Sequence, residues 1–201
     1  MRTRFADDIS HLPTHAFGHR SVTWWGTLGF IAIESTVFAL GGMVYLYLAG
    51  LAETWPPGRL APPDLFWGSL FTLVLLVSMI PNVWLKRAAE REDERASKIN
   101  LAVLLLFGAL LLVIRGFEFA HLNVRWDENA YGSISEVMLG AHTLHLGTDL
   151  GESVILTVLA FRYGLSGRKF ADVSEDAIYW NFVLAAWLPN YLLIYWLPRW
   201  L

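Results

Sequence analysis

The stretch LGFIAIESTVFALGGMVYLYL, residues 28–48, decides the fold of this chain. Glu34 is the only acidic or basic residue in it. A helix needs about 20 predominantly apolar residues to cross the hydrocarbon core of a bilayer, and this stretch supplies them. Lipid offers no partner to backbone N–H and C=O groups, so these groups must bond within the segment itself. The stretch therefore predicts a membrane-spanning α-helix.

The whole chain has the composition of an integral membrane protein. Of its 201 residues, 55% are hydrophobic and only 16% are charged, whereas about a quarter of an average soluble domain is charged. Apolar spans are predicted at residues 24–48, 65–85, 99–119, 133–161 and 178–197. We predict an all-α fold, a bundle of five transmembrane helices over residues 22–201, with a cytoplasmic N-terminal segment at residues 1–21. The alternating segments of a β-barrel are not seen.

Two connections between the spans have a distinct composition. ETWPPGRLAPPD, residues 53–64, is rich in proline and glycine and predicts a loop. KRAAEREDERASK, residues 86–98, is a charge run that we interpret as a solvated helical extension of spans two and three. A docking surface is the alternative interpretation of this run.

Lysine and arginine predict how the spans are oriented. Eleven of the 15 basic residues lie in the N-terminal segment, in the charge run, and after span four, while Arg59, Arg125 and Arg199 lie on the other side. Cytoplasmic loops carry the excess of these residues. We therefore predict a cytoplasmic N-terminus and an external C-terminus, in a bacterial-type cytoplasmic (inner) membrane. Residues 1–20 lack the apolar core of a cleavable signal peptide, so the first span is expected to direct insertion.

The residue inventory excludes several classes of function. The chain has no cysteine, which excludes disulfides, thiolate catalysis and cysteine-ligated clusters. No basic patch with interleaved aromatic residues is present, so no nucleic-acid partner is expected. The sequence also lacks a phosphate-binding glycine loop, a zinc-protease motif and a nucleophile–base pair. We accordingly predict no catalytic residue.

Ionisable residues inside the predicted spans are the candidates for function. A charge at mid-bilayer costs several kcal/mol unless it is paired, neutralised or hydrated. Arg115 and Glu118 are three residues apart and can pair directly. On span four, steps of three or four residues predict one polar face, buried against neighbouring helices. On this face Asp149 and Glu152 can raise the histidine pKa values or accept the histidine N–H bonds. The full candidate set comprises Glu34, Arg115, Glu118, Glu136, His142, His145, Asp149 and Glu152.

The polar face of span four admits several interpretations. Two histidines and a carboxylate could hold a zinc or copper ion. A haem would need an axial partner on another helix, yet the remaining histidines all lie outside the predicted spans. Interior histidines bonded to neighbouring helices are the simpler interpretation, and we predict that this chain binds no metal and no cofactor. Glu34 could hold a proton locally, but span one adds only Ser35 and Thr36, so no continuous proton path is predicted.

Four stretches together resemble the cytochrome c oxidase subunit III family of the haem-copper oxidases, in its five-helix form. They are residues 28–48, with Glu34 at the family's intramembrane glutamate, and WPPGRLAPPD at residues 55–64. RWDENAYGSISEVMLGAHTLHLG, residues 125–147, and EDAIYWNFVLAAWLPNYLLIYWL, residues 175–197, carry the rest. The matched positions in these last two stretches are Tyr131, Gly132, Ser133, Gly140, His142, His145, Tyr179, Trp180, Phe182, Val183, Trp187, Tyr191, Ile194, Tyr195 and Trp196.

The resemblance implies a non-catalytic core subunit of a proton-translocating terminal oxidase in aerobic respiratory electron transport. Haem and copper would belong to partner subunits, namely the catalytic haem-copper subunit and other subunits of the respiratory complex. This chain would support assembly and proton uptake and hold phospholipid in its clefts. Larger members have two further N-terminal helices. An accessory membrane subunit of a nitric oxide reductase and a small metal or proton carrier acting through residues 142–152 are the alternatives.

Several residues depart from the family pattern. Arg115 replaces a glutamine, and Glu136, Asp149 and Glu152 replace aromatic or small residues. Asn181 stands where histidine is usual, and Leu184 where aspartate is usual. An arginine gained together with carboxylates suggests compensation, so we expect Arg115 to pair with both Glu118 and Glu136.

Overall fold

Five long helices make up the part of the chain that the structure describes. The computed structural model describes residues 15–201, so Arg2, Arg4 and His11 lie outside the described residues. The helices are α1 (Val22–Leu51), α2 (Leu65–Glu90), α3 (Glu94–Ala120), α4 (Ala130–Tyr163) and α5 (Arg168–Trp200). All five are long and apolar enough to cross a membrane, and the described residues contain no strand. The prediction of an all-α membrane bundle is confirmed.

The charge run forms a tight turn between two helices that continue past their apolar spans. α2 reaches Glu90 and α3 starts at Glu94, as the interpretation of a helical extension requires. Glu92 has a φ of 56°, in the left-handed region, which reverses the chain. Asp93 then caps α3, because its carboxylate accepts the Ala96 N–H at 3.0 Å.

α5 begins earlier than predicted. The sequence placed its start near residue 178 and assigned Arg168 and Lys169 to a loop, whereas the helix begins at Arg168, directly after Gly167 with a φ of 53°. An apolar window misses this first part because residues 172–176 are mostly polar. Two of those polar residues, Glu175 and Asp176, are nonetheless buried between helices.

Near its other end, α5 changes its hydrogen-bonding pattern. Pro189 lies inside the helix, and residues Leu192–Trp196 form a π-helical segment before the final turn Leu197–Trp200. The side chain of Tyr195 from this segment is fully buried against α2. A Cβ atom at Gly68 of α2 would lie 2.5 Å from the Tyr195 ring, so glycine permits this approach.

Contacts between loops define one end of the bundle, which we call the basic end. His15 Nε2 lies 3.0 Å from the Glu92 carboxylate, and the Leu165 N–H donates to the Glu94 carboxylate at 3.3 Å. These contacts bring the start of the described chain, the α2–α3 turn and the α4–α5 loop together.

The opposite end, which we call the proline end, holds residues 52–64. The Asp64 N–H donates to the His121 carbonyl at 3.1 Å, and Asn123 Nδ2 donates to the Pro62 carbonyl at 3.1 Å. Arg199 also donates to the Pro63 carbonyl, at 2.5 Å. The α1–α2 loop, the α3–α4 loop and the C-terminus therefore meet here, and consecutive helices run in opposite directions.

α5 lies inside the bundle and α1 at its edge. α5 packs against α1, α2 and α4, and α4 packs against α1, α3 and α5. α3 completes the bundle by packing against α2. α5 is the most buried of the five helices, whereas α1 is the least buried.

Candidate functional site

The buried acidic, basic and histidine side chains of the described residues form two groups at different heights. The first, which we call the arginine group, consists of Arg115, Glu118, His142 and Tyr195 and lies towards the proline end. The second lies towards the basic end between α1, α4 and α5. It comprises a hydrogen-bonded set around Glu34 and a cavity lined with carboxylates.

The arginine group is a closed network except at Arg115 Nε, which has no hydrogen-bond partner among residues 15–201. Arg115 Nη1 donates to Glu118 Oε2 at 2.7 Å, and Tyr195 Oη donates to Glu118 Oε1 at 2.5 Å. The side chains of Arg115 and Glu118 are each only 1% exposed. A charged pair this deeply buried needs further bonds to offset its lost hydration, and the tyrosine supplies one.

His142 completes the network in a defined tautomer. Arg115 Nη2 lies 3.0 Å from His142 Nδ1, and His142 Nε2 lies 2.9 Å from the Val183 carbonyl. Arginine can only donate and a carbonyl can only accept, so Nδ1 is the acceptor and Nε2 carries the proton. His142 is therefore a neutral histidine that links α3, α4 and α5.

Two aromatic rings enclose the guanidinium of Arg115. Its Cζ lies 3.7 Å from the centre of the Phe71 ring and 4.3 Å from that of the Trp187 ring. The faces of aromatic rings attract cations, most strongly where water is excluded. Trp187 is fixed in turn, because its Nε1–H donates to Thr72 Oγ1 at 2.7 Å.

Glu136 does not belong to the arginine group, which corrects half of the expected pairing. Its Oε1 accepts the Trp126 N–H at 3.0 Å. The carboxylate thus ties the start of α4 to the α3–α4 loop at the proline end. Arg115 does pair with Glu118, as the spacing of the two residues predicted.

Glu34 is the centre of a second set of hydrogen bonds. His145 Nε2 lies 3.0 Å from Glu34 Oε1, and Tyr179 Oη donates to Glu34 Oε2 at 2.6 Å. His145 Nδ1 lies 2.6 Å from the Ala141 carbonyl. Both ring nitrogens of His145 therefore face oxygen atoms, and the contact with Glu34 is a hydrogen bond with its hydrogen on either partner.

A cavity of about 470 Å³ opens beside this pair. We call it the acidic cavity, because three helices contribute the carboxylates that line it: Glu34, Asp149, Glu152, Glu175 and Asp176. Phe30 and Tyr179 form part of its wall, with their rings stacked at a centroid distance of 5.9 Å.

The carboxylates of the acidic cavity differ in how they are bonded. Asp176 accepts a hydrogen bond from Ser153 Oγ at 3.0 Å. Asp149 is 2% exposed and Glu175 is 6% exposed. Neither oxygen of either residue has a hydrogen-bond partner among residues 15–201. Buried polar atoms are nearly always bonded, and among residues 15–201 these are the two carboxyl groups with both oxygens buried and unbonded.

The predicted polar face of span four is divided in the structure. His142 points to α3 and α5, whereas His145 pairs with Glu34 of α1. Asp149 and Glu152 accept no bond from either histidine, because they lie further along α4 beside the acidic cavity. Asp149 is buried, as predicted, but Glu152 is exposed.

Glu175 and Asp176 were not among the residues predicted from the sequence. The predicted fifth span starts at residue 178, so both residues fall in a predicted loop. The spacing of residues 172, 175, 176 and 179 would have placed them on one face of a longer helix. Asn181, where the resemblance leads one to expect histidine, accepts a hydrogen bond from Asn82 Nδ2 at 3.1 Å.

The structure offers no ready metal centre in the part of the chain that it describes. No three or more histidine and carboxylate side chains among residues 15–201 converge to hold an ion. In the acidic cavity, the carboxylates come from different helices and surround open space.

The sequence matches the family described as cytochrome c oxidase subunit III over residues 12–199. It is 30% identical to cytochrome c oxidase subunit 3 of Thermostichus vulcanus over 190 residues, which covers 92% of each chain. It is 29% identical to the subunit 3 of Myxine glutinosa, over 94% of this chain and 76% of that one. Identity to the subunit 3 of Cyprinus carpio is 27%, over 86% of this chain and 68% of that one.

Proposed function

The chain belongs to the cytochrome c oxidase subunit III family, and we propose that it is a non-catalytic core subunit of a haem-copper terminal oxidase in aerobic respiration. The match over residues 12–199, which takes in all five helices, carries this proposal. The catalytic haem-copper subunit and other subunits of the complex are its partners. Haem and copper belong to those partners, and this chain contributes no active site of its own.

The arginine group serves assembly. Its members come from α3, α4 and α5, and aromatic side chains of α2 and α5 enclose it. A network of this kind fixes the positions of four helices. We assign it the role of holding the bundle in the shape that the partner subunits bind.

Proton uptake is assigned to the Glu34–His145 pair. The pair is hydrogen-bonded inside the bundle and adjoins the acidic cavity, which lies towards the basic end. Tyr179 orients the carboxylate of Glu34 through its hydroxyl. These are the properties needed of a group that stores a proton for a neighbouring subunit.

Membrane position follows from the two ends of the bundle. We assign the basic end to the cytoplasmic side of a bacterial-type inner membrane and the proline end to the outside, because basic residues gather on the cytoplasmic side. All five helices then cross the bilayer. Phospholipid contacts are assigned to α1, whose outward face carries exposed apolar residues such as Ile33, Leu40 and Tyr47.

Affinity purification of the tagged full chain from its native membrane tests the proposal. We expect a haem-copper catalytic subunit to copurify, and we expect no haem Soret band from the chain expressed alone. A Soret band from the isolated chain would overturn the non-catalytic assignment. Copurification with a nitric oxide reductase instead would overturn the assignment to an oxidase.

The proton role is tested separately in the purified complex. Glu34→Gln removes the carboxylate that contacts His145 but keeps the side chain's size. We expect slower proton uptake during turnover with normal assembly, whereas Glu128→Gln, at an exposed site near the proline end, leaves uptake unchanged. Unaltered uptake in the Glu34 variant would contradict the role.

A further inference from the structure

We propose that the acidic cavity between α1, α4 and α5 is a binding site for an organic cation that carries a primary ammonium group. This inference does not depend on the role of the chain as an oxidase subunit. The family comparison assigns no such site, and the carboxylates of Asp149, Glu152, Glu175 and Asp176 carry the argument.

The cavity has more negative groups than positive ones. His145 is the one cationic or potentially cationic side chain among its lining residues, and it is already paired with Glu34. Lys86 lies on the neighbouring α2, but its ammonium pairs with Glu90 at 3.6 Å. Four carboxyl groups in one partly enclosed space repel one another when they are ionised, and a cation between them relieves that repulsion.

A second observation points to a ligand. Asp149 lines the cavity, is 2% exposed, and has no hydrogen-bond partner among the described residues for either oxygen. Glu175, on α5, is also buried, and neither of its oxygens has a hydrogen-bond partner among the described residues. A buried carboxyl group that belongs to a cavity's lining and lacks donors of its own indicates that a bound molecule supplies them.

The chemistry of the wall favours an ammonium group over a metal ion. Within residues 15–201 no cluster of three ligands could hold a metal, and the cavity's 470 Å³ far exceeds a bare ion. A primary ammonium group has three N–H donors, which match carboxylates arriving from different helices. The stacked rings of Phe30 and Tyr179 add an aromatic surface on which an ammonium cation is stabilised.

Such a group can arrive by two routes. The cavity continues into an adjoining open space between α1 and α4, lined by Thr23, Ile155 and Leu156, with Glu152 and Glu175 common to both. A free amine could enter from the basic end, and a lipid with an amine headgroup could enter from the side. Both sources offer the same ammonium chemistry.

Isothermal titration calorimetry of the full chain in nanodiscs of phosphatidylglycerol tests the free-amine route, with putrescine as the probe. We expect saturable binding that weakens at least about tenfold in Asp149→Asn, since a charge-assisted hydrogen bond is lost. Glu152→Gln, at an exposed position, should weaken binding without a risk to folding. Glu128→Gln is the matched control and should bind putrescine as the unaltered chain does.

Native mass spectrometry tests the lipid route. The full chain is reconstituted into nanodiscs with equal parts of phosphatidylethanolamine and phosphatidylglycerol, and the lipid that stays bound is identified by its mass. Preferential retention of phosphatidylethanolamine that Glu152→Gln abolishes identifies a lipid source, and putrescine binding without it identifies a free amine. The proposal is wrong if neither probe binds, if both bind equally well to the two cavity variants, or if Mg²⁺ binds the cavity more tightly than putrescine.

Discussion

Arg115, towards the proline end, has its guanidinium bonded to a carboxylate and an imidazole and enclosed by two aromatic rings. Asp149, towards the basic end, is buried to the same degree, yet neither of its oxygens is bonded to a described residue. Both residues lie inside the bundle. They differ in whether the protein itself supplies the partner.

Buried charge that the protein itself neutralises, as at Arg115, stabilises the fold. Buried charge without a partner in the protein, as at Asp149, is available to bind a ligand. A closed group stabilises one arrangement of helices, and breaking it exposes the remaining partner to an apolar interior. The carboxyl groups of Asp149 and Glu175 in the acidic cavity lack such partners among the described residues, so removing one of them reduces the repulsion among the carboxyl groups there. Substitutions in the two groups should therefore change stability by different amounts and in opposite directions.

The largest effect is expected for Arg115→Met. This variant keeps the aliphatic length but leaves Glu118 buried without its cation, which we expect to lower the free energy of unfolding by about 3–5 kcal/mol. Thermal unfolding of the purified chain in detergent measures the loss. Arg125→Met is the control, because Arg125 pairs with Asp127 on an exposed loop. Equal losses in the two variants would show that the arginine group is not a structural network.

Adding Glu118→Leu to Arg115→Met should recover most of that loss. An apolar pair of similar volume no longer buries an uncompensated charge, so the two effects are strongly non-additive. The measurement is a double-mutant cycle on the same unfolding transition. Additive losses would contradict the pairing.

Gly68→Ala should cost about 1–3 kcal/mol, the usual range for overpacking. The added methyl group would meet the Tyr195 ring, which is restrained by its bond to Glu118. Gly29→Ala is a matched control in α1, since no atom lies within 4 Å of its Cβ position. A harmless Gly68→Ala would show that Tyr195 can move away from Glu118.

Tyr195→Phe should lower the free energy of unfolding by about 1–2 kcal/mol, because one oxygen of the buried Glu118 carboxylate loses its donor. Tyr47→Phe is the control, since Tyr47 is 65% exposed on α1. Thermal unfolding again provides the measurement, and a loss no greater than the control's would exclude a closed network.

The smallest change, and one of opposite sign, is expected for Asp149→Asn. In buffer and lipid free of amines, it removes one repelling carboxylate from the acidic cavity and should leave stability unchanged or raise it by up to about 1 kcal/mol. The comparison with Arg115 fails if this variant is destabilised as strongly as Arg115→Met. That result would mean that Asp149 has an unrecognised structural partner.

Much of the fold could be predicted because it depends on local properties of the sequence. Apolar length indicated the five helices, and the spacing of Arg115 and Glu118 gave their pairing within one helix. Pairing between distant parts of the chain has no such signal. The sequence therefore predicts that Glu136 pairs with Arg115, whereas its carboxylate accepts a hydrogen bond from the Trp126 N–H of the α3–α4 loop.

The acidic cavity was only partly visible in the sequence. Glu34, Asp149 and Glu152 were recognised because they interrupt apolar spans. Glu175 and Asp176 were missed because polar residues at the start of a helix look the same as residues of a loop when only hydropathy is considered. Their burial depends on how α5 packs against its neighbours, which a single helix cannot reveal.

The π-helical segment at Leu192–Trp196 determines the register of the end of the chain. An added residue in a turn rotates everything after it by about 100° around the helix axis. Tyr195 reaches Glu118 from within this segment, and Arg199 reaches the Pro63 carbonyl just beyond it. A homologous chain that is one residue shorter here would have a regular α-helix, in which only one of the two contacts could keep its direction. The number of residues in this turn therefore decides whether the end of α5 contacts Glu118 in the interior, the proline-end loop, or both.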